Sequence, residues 1–202
     1  MPERFVSAVN ENQGEFALPL PDETVDRLAA YYNLVIRHND LLHLVAPCSP
    51  EEFAVRHVLE SLTLLEHLPR NAAFADIGTG AGLPSIPCLL VREDLRVLLI
   101  ESKEKKARFL QHAVNELGLA SRAQIINKQF EETEPGDAQL ITCRALDRFT
   151  QKLPKLLKWS KGKKLLLFGG PALDDALTNR KVIFKRNLLP LSKQRFLFQI
   201  EK

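Results

Sequence analysis

The sequence predicts an α/β fold: a mostly parallel seven-stranded sheet that ends in an antiparallel hairpin, preceded by a small helical region. Three observations predict it. From Ala72 onward, short runs rich in Val, Ile, Leu and Phe alternate with helical segments, as successive βαβ units do. A glycine-rich turn, Asp76-Ile77-Gly78-Thr79-Gly80-Ala81-Gly82-Leu83-Pro84, stands between the first of those runs and a helix. The last two apolar runs have no helix between them, so they form a hairpin at one sheet edge.

The elements follow in order. After a polar N-terminal stretch, Val25, Leu28, Ala29, Tyr32, Val35 and Ile36 recur at helical spacing and predict a helix over about 22–38, whose apolar stripe needs a partner. Ser49-Pro50-Glu51-Glu52 reads as a second helix start, with Ser49 as N-cap, Pro50 in the first turn and Glu52 closing a capping box. That helix runs to about His67, and Pro69 and Asn71 end it. The chain therefore divides into a helical region, 1–70, and a sheet domain, 71–202. Strands are expected near 73–77, 96–101, 123–127, 138–143, 164–168, 181–185 and 195–200. Between the second and third, Ala107, Leu110, Val114 and Leu117 form the inner stripe of a helix stopped by Gly118.

Composition excludes several classes. At 202 residues, 45% hydrophobic and 26% charged, the chain has the make-up of a globular protein. Its apolar runs, such as Val97 to Ile100 and Leu165 to Phe168, are far shorter than the roughly 20 residues that cross a bilayer. Glu3, Arg4, Asn10 and Glu11 leave no room for an apolar export signal at the start, so a cytoplasmic location is expected. Cys48, Cys88 and Cys143 lack paired metal-site spacing, and neither a metal nor a disulfide framework is expected. Cys88 and Cys143 read as small buried hydrophobes.

Net charge of +3 conceals a division. Residues 1–147 carry 14 Lys and Arg against 22 Asp and Glu, whereas residues 148–200 carry 13 against two, Asp174 and Asp175. Such a basic final quarter points to a polyanionic partner, because lysines that neutralise phosphates release condensed counterions.

The chemistry gathers at the glycine turn. Alternate glycines allow a tight turn and let the backbone approach a ligand closely. Roughly twenty positions on, Arg96-Val97-Leu98-Leu99-Ile100 ends in Glu101, placed at a strand's carboxyl end to accept both hydroxyls of an adenosine ribose. Ser102 is positioned to cap the helix that follows. The dinucleotide pattern G-x-G-x-x-G fails, since residue 83 is Leu83 and Gly82 arrives one place early. Asp76 either stabilises a ligand's cationic amino-acid tail or braces the loop; it would repel a pyrophosphate. These features point to S-adenosylmethionine and to a class I, Rossmann-like methyltransferase domain. There is no G-x-S-x-G elbow, and none of His38, His43, His57, His67 and His112 has a motif partner marking it as a base.

Further motifs resemble a specific family. Arg56-His57 followed by Glu60-Ser61, the Gly78 to Pro87 loop, Glu101-Ser102 leading into Lys105-Lys106-Ala107-Arg108-Phe109-Leu110, and Arg144-Ala145 are similar, in order, to motifs of the 16S rRNA guanine-N7 methyltransferases of the glucose-inhibited division B type. The resemblance implies S-adenosylmethionine as cofactor and 16S rRNA or the 30S subunit as partner; a monomer is expected. It implies that Gly78 and Leu83 line the methionine side, Glu101 the ribose, Phe130-Glu131 the adenine, and that Arg144 contacts cofactor or substrate; Gly80 of the same turn is also expected to bind cofactor. Without the resemblance, Arg144 reads equally as a salt-bridged residue. RNA contacts are expected from Arg148, Lys152, Lys155, Lys158 and Lys163, whereas Phe149, Trp159 and Phe168 read as core. Three positions depart from the family's pattern: Gly169 precedes Gly170 where relatives carry Lys-Gly, Phe196 follows Arg195 where they carry His, and His43-Leu44-Val45 replaces Asn-Leu-Thr. Two alternatives follow: a catalytically weakened relative that binds RNA or aids ribosome assembly, and a nicotinamide-dependent oxidoreductase.

Overall fold

The computed structural model describes residues 2–144, 146 and 148–201; Ala145 of the Arg144-Ala145 pair lies outside them. Strands β1 (Ala73–Ile77), β2 (Arg96–Ile100), β3 (Ala123–Ile126), β4 (Leu140–Arg144), β5 (Lys164–Gly169), β6 (Lys185–Leu188) and β7 (Phe196–Ile200) form one sheet in the order β3-β2-β1-β4-β5-β7-β6. The first five are parallel, and β7 runs antiparallel to both β5 and β6. The expected seven-stranded sheet with its antiparallel end is therefore what forms. Central strands such as β1 and β5 are covered on both faces, which is why they read as near-continuous apolar runs.

Helices α1 (Pro2–Asn12) and α2 (Asp22–Leu42) precede the sheet, and a continuous helical stretch spans 50–67. That stretch opens as α3 (Pro50–Glu52), widens into a π-helix (Phe53–Leu59), returns to α4 (Glu60–Leu62) and tightens into a 3-10 turn (Thr63–His67). Later helices are α5 (Ser85–Val91), α6 (Glu104–Glu116), α7 (Phe149–Trp159) and α8 (Pro171–Asn179). The first three helical segments share one core with the sheet: Phe5, Tyr32 and Phe53 pack together, in the same buried cluster as Phe74, Leu99 and Phe168. The expected partner for the α2 stripe is thus supplied from both sides.

Several boundaries differ from the sequence reading. Helix α1 occupies the stretch read as merely polar; its buried residues, Phe5, Ala8 and Val9, are too few for a periodic signal. Helix α2 continues to Leu42. Ser49 does cap, its Oγ accepting the Glu52 amide at 3.1 Å, but the Glu52 side chain turns away to pair with Arg56, so no capping box closes. Ser102 does not cap α6; Lys103 holds that position, and Glu101 Oε1 accepts the Lys103 amide at 2.8 Å instead. The strand expected at 181–185 begins only at Lys185, because pairing with β7 sets the register from Lys185–Gln199 to Leu188–Phe196 and overrides the β-prone Val182-Ile183-Phe184. Gly118, at φ +68°, ends α6 as expected.

Candidate active site

In an open parallel sheet, ligands bind outside the carboxyl ends of the strands where the strand order reverses. Here that point lies between β1 and β4, and a cleft of about 620 Å3 opens there, within the size range of ligand pockets. Its floor is the glycine turn, with Gly78, Gly80 and Gly82 at φ +66°, +58° and +93°. A Cβ at Gly80 would meet only the Gly78 carbonyl, at 3.8 Å, so the backbone there faces open space. Glu101 stands opposite, 5% exposed, with Oε2 accepting the Gly80 amide at 3.0 Å. The carboxylate expected to meet a ribose is thereby fixed to the loop by backbone hydrogen bonds.

Asp76 lies beneath the loop, fully buried and absent from the cleft lining. Its Oδ2 accepts the hydroxyls of Thr79 at 2.8 Å and Ser85 at 2.6 Å, while Oδ1 has no partner among the described residues. Of the two roles left open for it, the geometry is that of a loop brace. Burial pushes its carboxyl up to about 7, opposed by the Ser85 and Thr79 hydrogen bonds. Tyr31 of α2, also fully buried, donates to the Ala81 carbonyl at 3.0 Å, so the helical region supports the loop from the other side.

Leu83 lines the cleft with Gly78 and Gly80. Phe130 does not: it is 3% exposed and meets Trp159 edge-on with ring centroids 5.9 Å apart. Glu131 faces Lys155, at 3.6 Å, and neither residue touches the cleft, whose wall at this point is Gln129. Another wall is formed by Leu44 and Val45, read from the sequence only as a departure from the family's motif, and by Ala46, which sequence reasoning missed. Asn39 holds that segment by accepting the Val45 amide at 2.9 Å and donating to the Val45 carbonyl at 3.1 Å, and Lys106 Nζ donates to the His43 carbonyl at 2.9 Å. His43 takes φ +47°, a left-handed conformation in which the departure from the family's asparagine is accommodated.

Arg144, at the end of β4, is both a cleft residue and a salt-bridged one. It donates to Glu60 Oε2 at 3.1 Å, to the Ser61 hydroxyl at 3.3 Å and to the Arg56 carbonyl, and its guanidinium lies 5.4 Å over the Phe168 ring. Glu60, 0% exposed, gives its other oxygen to Arg195 at 2.6 Å. Burial lowers the Arg144 guanidinium, and the Glu60 charge opposes that effect. A buried carboxylate gripped by two arginines fixes both of them in place. His57 also lines the cleft; burial, then the charges of Arg144, Arg56 and Arg195, push it down to about 3. Its position was legible only as a motif letter, because the π-helical run that turns it inward has no signature in the sequence. Such runs occur often at functional sites.

The expected RNA contacts separate along α7. Arg148 precedes the helix and Lys152 lines the cleft mouth. A rise of about 1.5 Å per residue carries Lys158 roughly 9 Å farther down. Lys163 lies at the opposite edge of the sheet, where Nζ donates to the carbonyls of Gly136 at 3.2 Å and Ala138 at 2.5 Å. It braces a loop there, apart from the other four. Cys88 and Cys143 are buried as expected, and no helix among the described residues is long and apolar enough to cross a membrane.

Comparison with known proteins decides the family. The model for rRNA small subunit methyltransferase G matches residues 24–197. The chain belongs to that family. A methyltransferase G from Pelotomaculum thermopropionicum is 39% identical over 117 residues, covering 57% of this chain and 49% of the relative. The one from Chromobacterium violaceum is 32% identical over 164 residues, covering 80% and 78%. The chain thus spans about half the length of the first of these methyltransferase G relatives and most of the second. Among solved structures, a SAM-dependent methyltransferase from Aquifex aeolicus superposes with a TM-score of 0.57 at 17% identity, over 76% of this chain and 94% of that one. That likeness establishes the Rossmann-like fold.

Proposed function

We propose that this protein is an S-adenosylmethionine-dependent methyltransferase that modifies N7 of a guanosine in the decoding-centre loop of 16S rRNA, in the cytoplasm and as a monomer. One observation carries the reading: the glycine turn with its open Gly80 face is pinned by hydrogen bond to a strand-end carboxylate, Glu101, in a cleft at the sheet's switch point. The residues present fit the cofactor. Gly78, Gly80 and Leu83 would offer backbone and an apolar wall to the methionine portion, Glu101 would accept ribose hydroxyls, and Gln129, which lines the cleft, would be available to the adenine.

Bound there, S-adenosylmethionine supplies an electrophilic methyl group on a sulfonium. The protein's own task is placement. Guanine N7 carries an in-plane lone pair that is unprotonated at neutral pH, so no residue needs to remove a proton. Holding donor and acceptor in near-attack geometry supplies roughly 7–11 kcal/mol of the barrier in well-oriented systems. Arg144, immobilised by Glu60, and Lys152 at the cleft mouth bring fixed and mobile positive charge to the RNA side.

Transfer of labelled methyl from S-adenosylmethionine to unmodified 30S subunits and to naked 16S rRNA, followed by mass mapping, tests the reading. A single N7-methylguanosine is the expected product. RNA binding with no transfer to either substrate would instead identify a non-catalytic relative, the alternative raised by Gly169 in place of lysine.

A further inference from the structure

A second cavity of about 440 Å3 adjoins the first, and His57, Arg144 and Leu146 stand in the lining of both. We propose that this second cavity receives the acceptor purine, swung out of its stack, and that His57 and Arg144 position it against the methyl group presented from the first. The inference rests on the methyltransferase reading and adds the place where the acceptor docks.

The chemistry of the lining points to a base. Half-buried Phe149 and the Arg144 guanidinium, seated over the Phe168 ring at 5.4 Å, give it flat surface, which a heteroaromatic ring removed from its neighbours needs in compensation for lost stacking. Gly169-Gly170 contributes backbone without side chains. A Cβ at Gly169 would come within 2.6 Å of Leu173 Cδ2, so the departure from the family's lysine leaves Leu173 in the wall. Arg56 and Arg195 also line the cavity and offer cations to the phosphates flanking an extruded nucleotide.

The partition between the cavities suits the reaction. As the nitrogen lone pair forms the new N–C bond, the C–S bond breaks, and positive charge passes from sulfur to the base; no proton moves. A protonated residue beside the acceptor would oppose that charge, and His57 is held neutral across the physiological range. Its Nδ1 is buried with no hydrogen-bond partner among the described residues, which leaves an unspent polar group at the partition. Arg144 carries a charge that Glu60, at 3.1 Å, offsets only in part, because the same carboxylate also pairs with Arg195 at 2.6 Å.

Ala172 is exposed and lines the second cavity only, so Ala172→Trp fills that space from the rim. The measurements are methyl transfer to rRNA and calorimetric S-adenosylmethionine affinity for wild type, Ala172→Trp, His57→Ala and His57→Asn. Ala172→Trp is expected to lower kcat/KM for RNA by about 100-fold, the scale of an ångström-level misplacement, with cofactor affinity unchanged within about twofold. His57→Ala is expected to lower kcat by about tenfold, the scale of one lost positioning hydrogen bond, while both KM values hold within about threefold, and His57→Asn to recover part of that loss. If Ala172→Trp does not fold, Thr150→Trp fills the same cavity from α7. Full activity in a folded cavity-filling variant overturns the proposal. A wild-type protein that binds cofactor but methylates no RNA overturns the methyltransferase reading and this inference with it.

Discussion

The glycine-loop edge and the basic face of α7 place charged groups by opposite means. At the loop edge, each functional group is held by short bonds to neighbours: Glu101 to the Gly80 and Lys103 amides, Asp76 to Thr79 and Ser85, Tyr31 to Ala81, Glu60 to two arginines. Along α7, Lys155 and Lys158 are exposed, and Lys155 meets Glu131 only at 3.6 Å. The first arrangement suits a small ligand whose atoms must be placed within fractions of an ångström. The second suits a polyanion, bound by charge number and weakened by salt. Substitutions at the loop edge should therefore produce large, site-specific losses, and those on α7 small losses that vary with salt.

The largest effect is expected from Glu60→Ala, which leaves the half-buried Arg144 and Arg195 without the fully buried carboxylate that pairs them. Removing one partner of a buried ion pair costs about 3–5 kcal/mol, to be read by chemical denaturation. A loss below about 1 kcal/mol would show that the triad does not hold the site together. Gly80→Val comes next: it places a β-branched side chain at φ +58° and into the cleft. More than about 100-fold weaker S-adenosylmethionine binding is expected, equivalent to about 2.7 kcal/mol. An unchanged affinity in the folded variant would remove the loop from the site. Glu101→Ala removes charge-assisted hydrogen bonds worth about 1.5–3 kcal/mol, to be measured as weaker cofactor affinity with RNA affinity retained.

Two buried groups titrate in opposite senses. Asp76 is raised to about 7, so its contribution to stability is complete below the unfolded value of 3.8 and is lost as pH climbs through 7. His57 is lowered to about 3, so its contribution is present above 6.5 and is lost as pH falls through 3. Between about 4 and 6.5 the two slopes cancel. Asp76→Asn should unmask a stability that rises with pH by up to about 1.4 kcal/mol per unit in that window, and a flat profile would contradict the assignment of His57.

The smallest effects belong to α7. Replacing Lys152, Lys155 and Lys158 with Gln should reduce the slope of log affinity for RNA against log salt by about 0.7–0.9 for each phosphate that the helix no longer neutralises. Lys163→Gln should leave the slope unaltered, because that side chain is engaged with Gly136 and Ala138 across the sheet. Equal effects from both changes would erase the distinction between the α7 lysines and Lys163.

What could be read from the sequence follows the same divide. The glycine turn, Glu101 and the sheet's antiparallel end were legible because local patterning determines them: a turn needs glycine where φ is positive, and buried strands need apolar runs. Helix α1, the π-helical run carrying His57, and the Leu44–Ala46 wall were not, because long-range packing fixes them. Phe130 shows the cost of transferring a role by motif position, since the residue that faces the cleft is its neighbour Gln129. Lys163 shows that a run of like charges in sequence can be divided between opposite edges of a sheet by one helix.

Calorimetric titration of the wild-type protein with S-adenosylmethionine, and separately with NAD, tests the central claim most directly. Saturation at a single site by S-adenosylmethionine, lost in Gly80→Val, with no heat from NAD, is the predicted result. Tight NAD binding without S-adenosylmethionine binding would contradict the account and make the cleft a dinucleotide site.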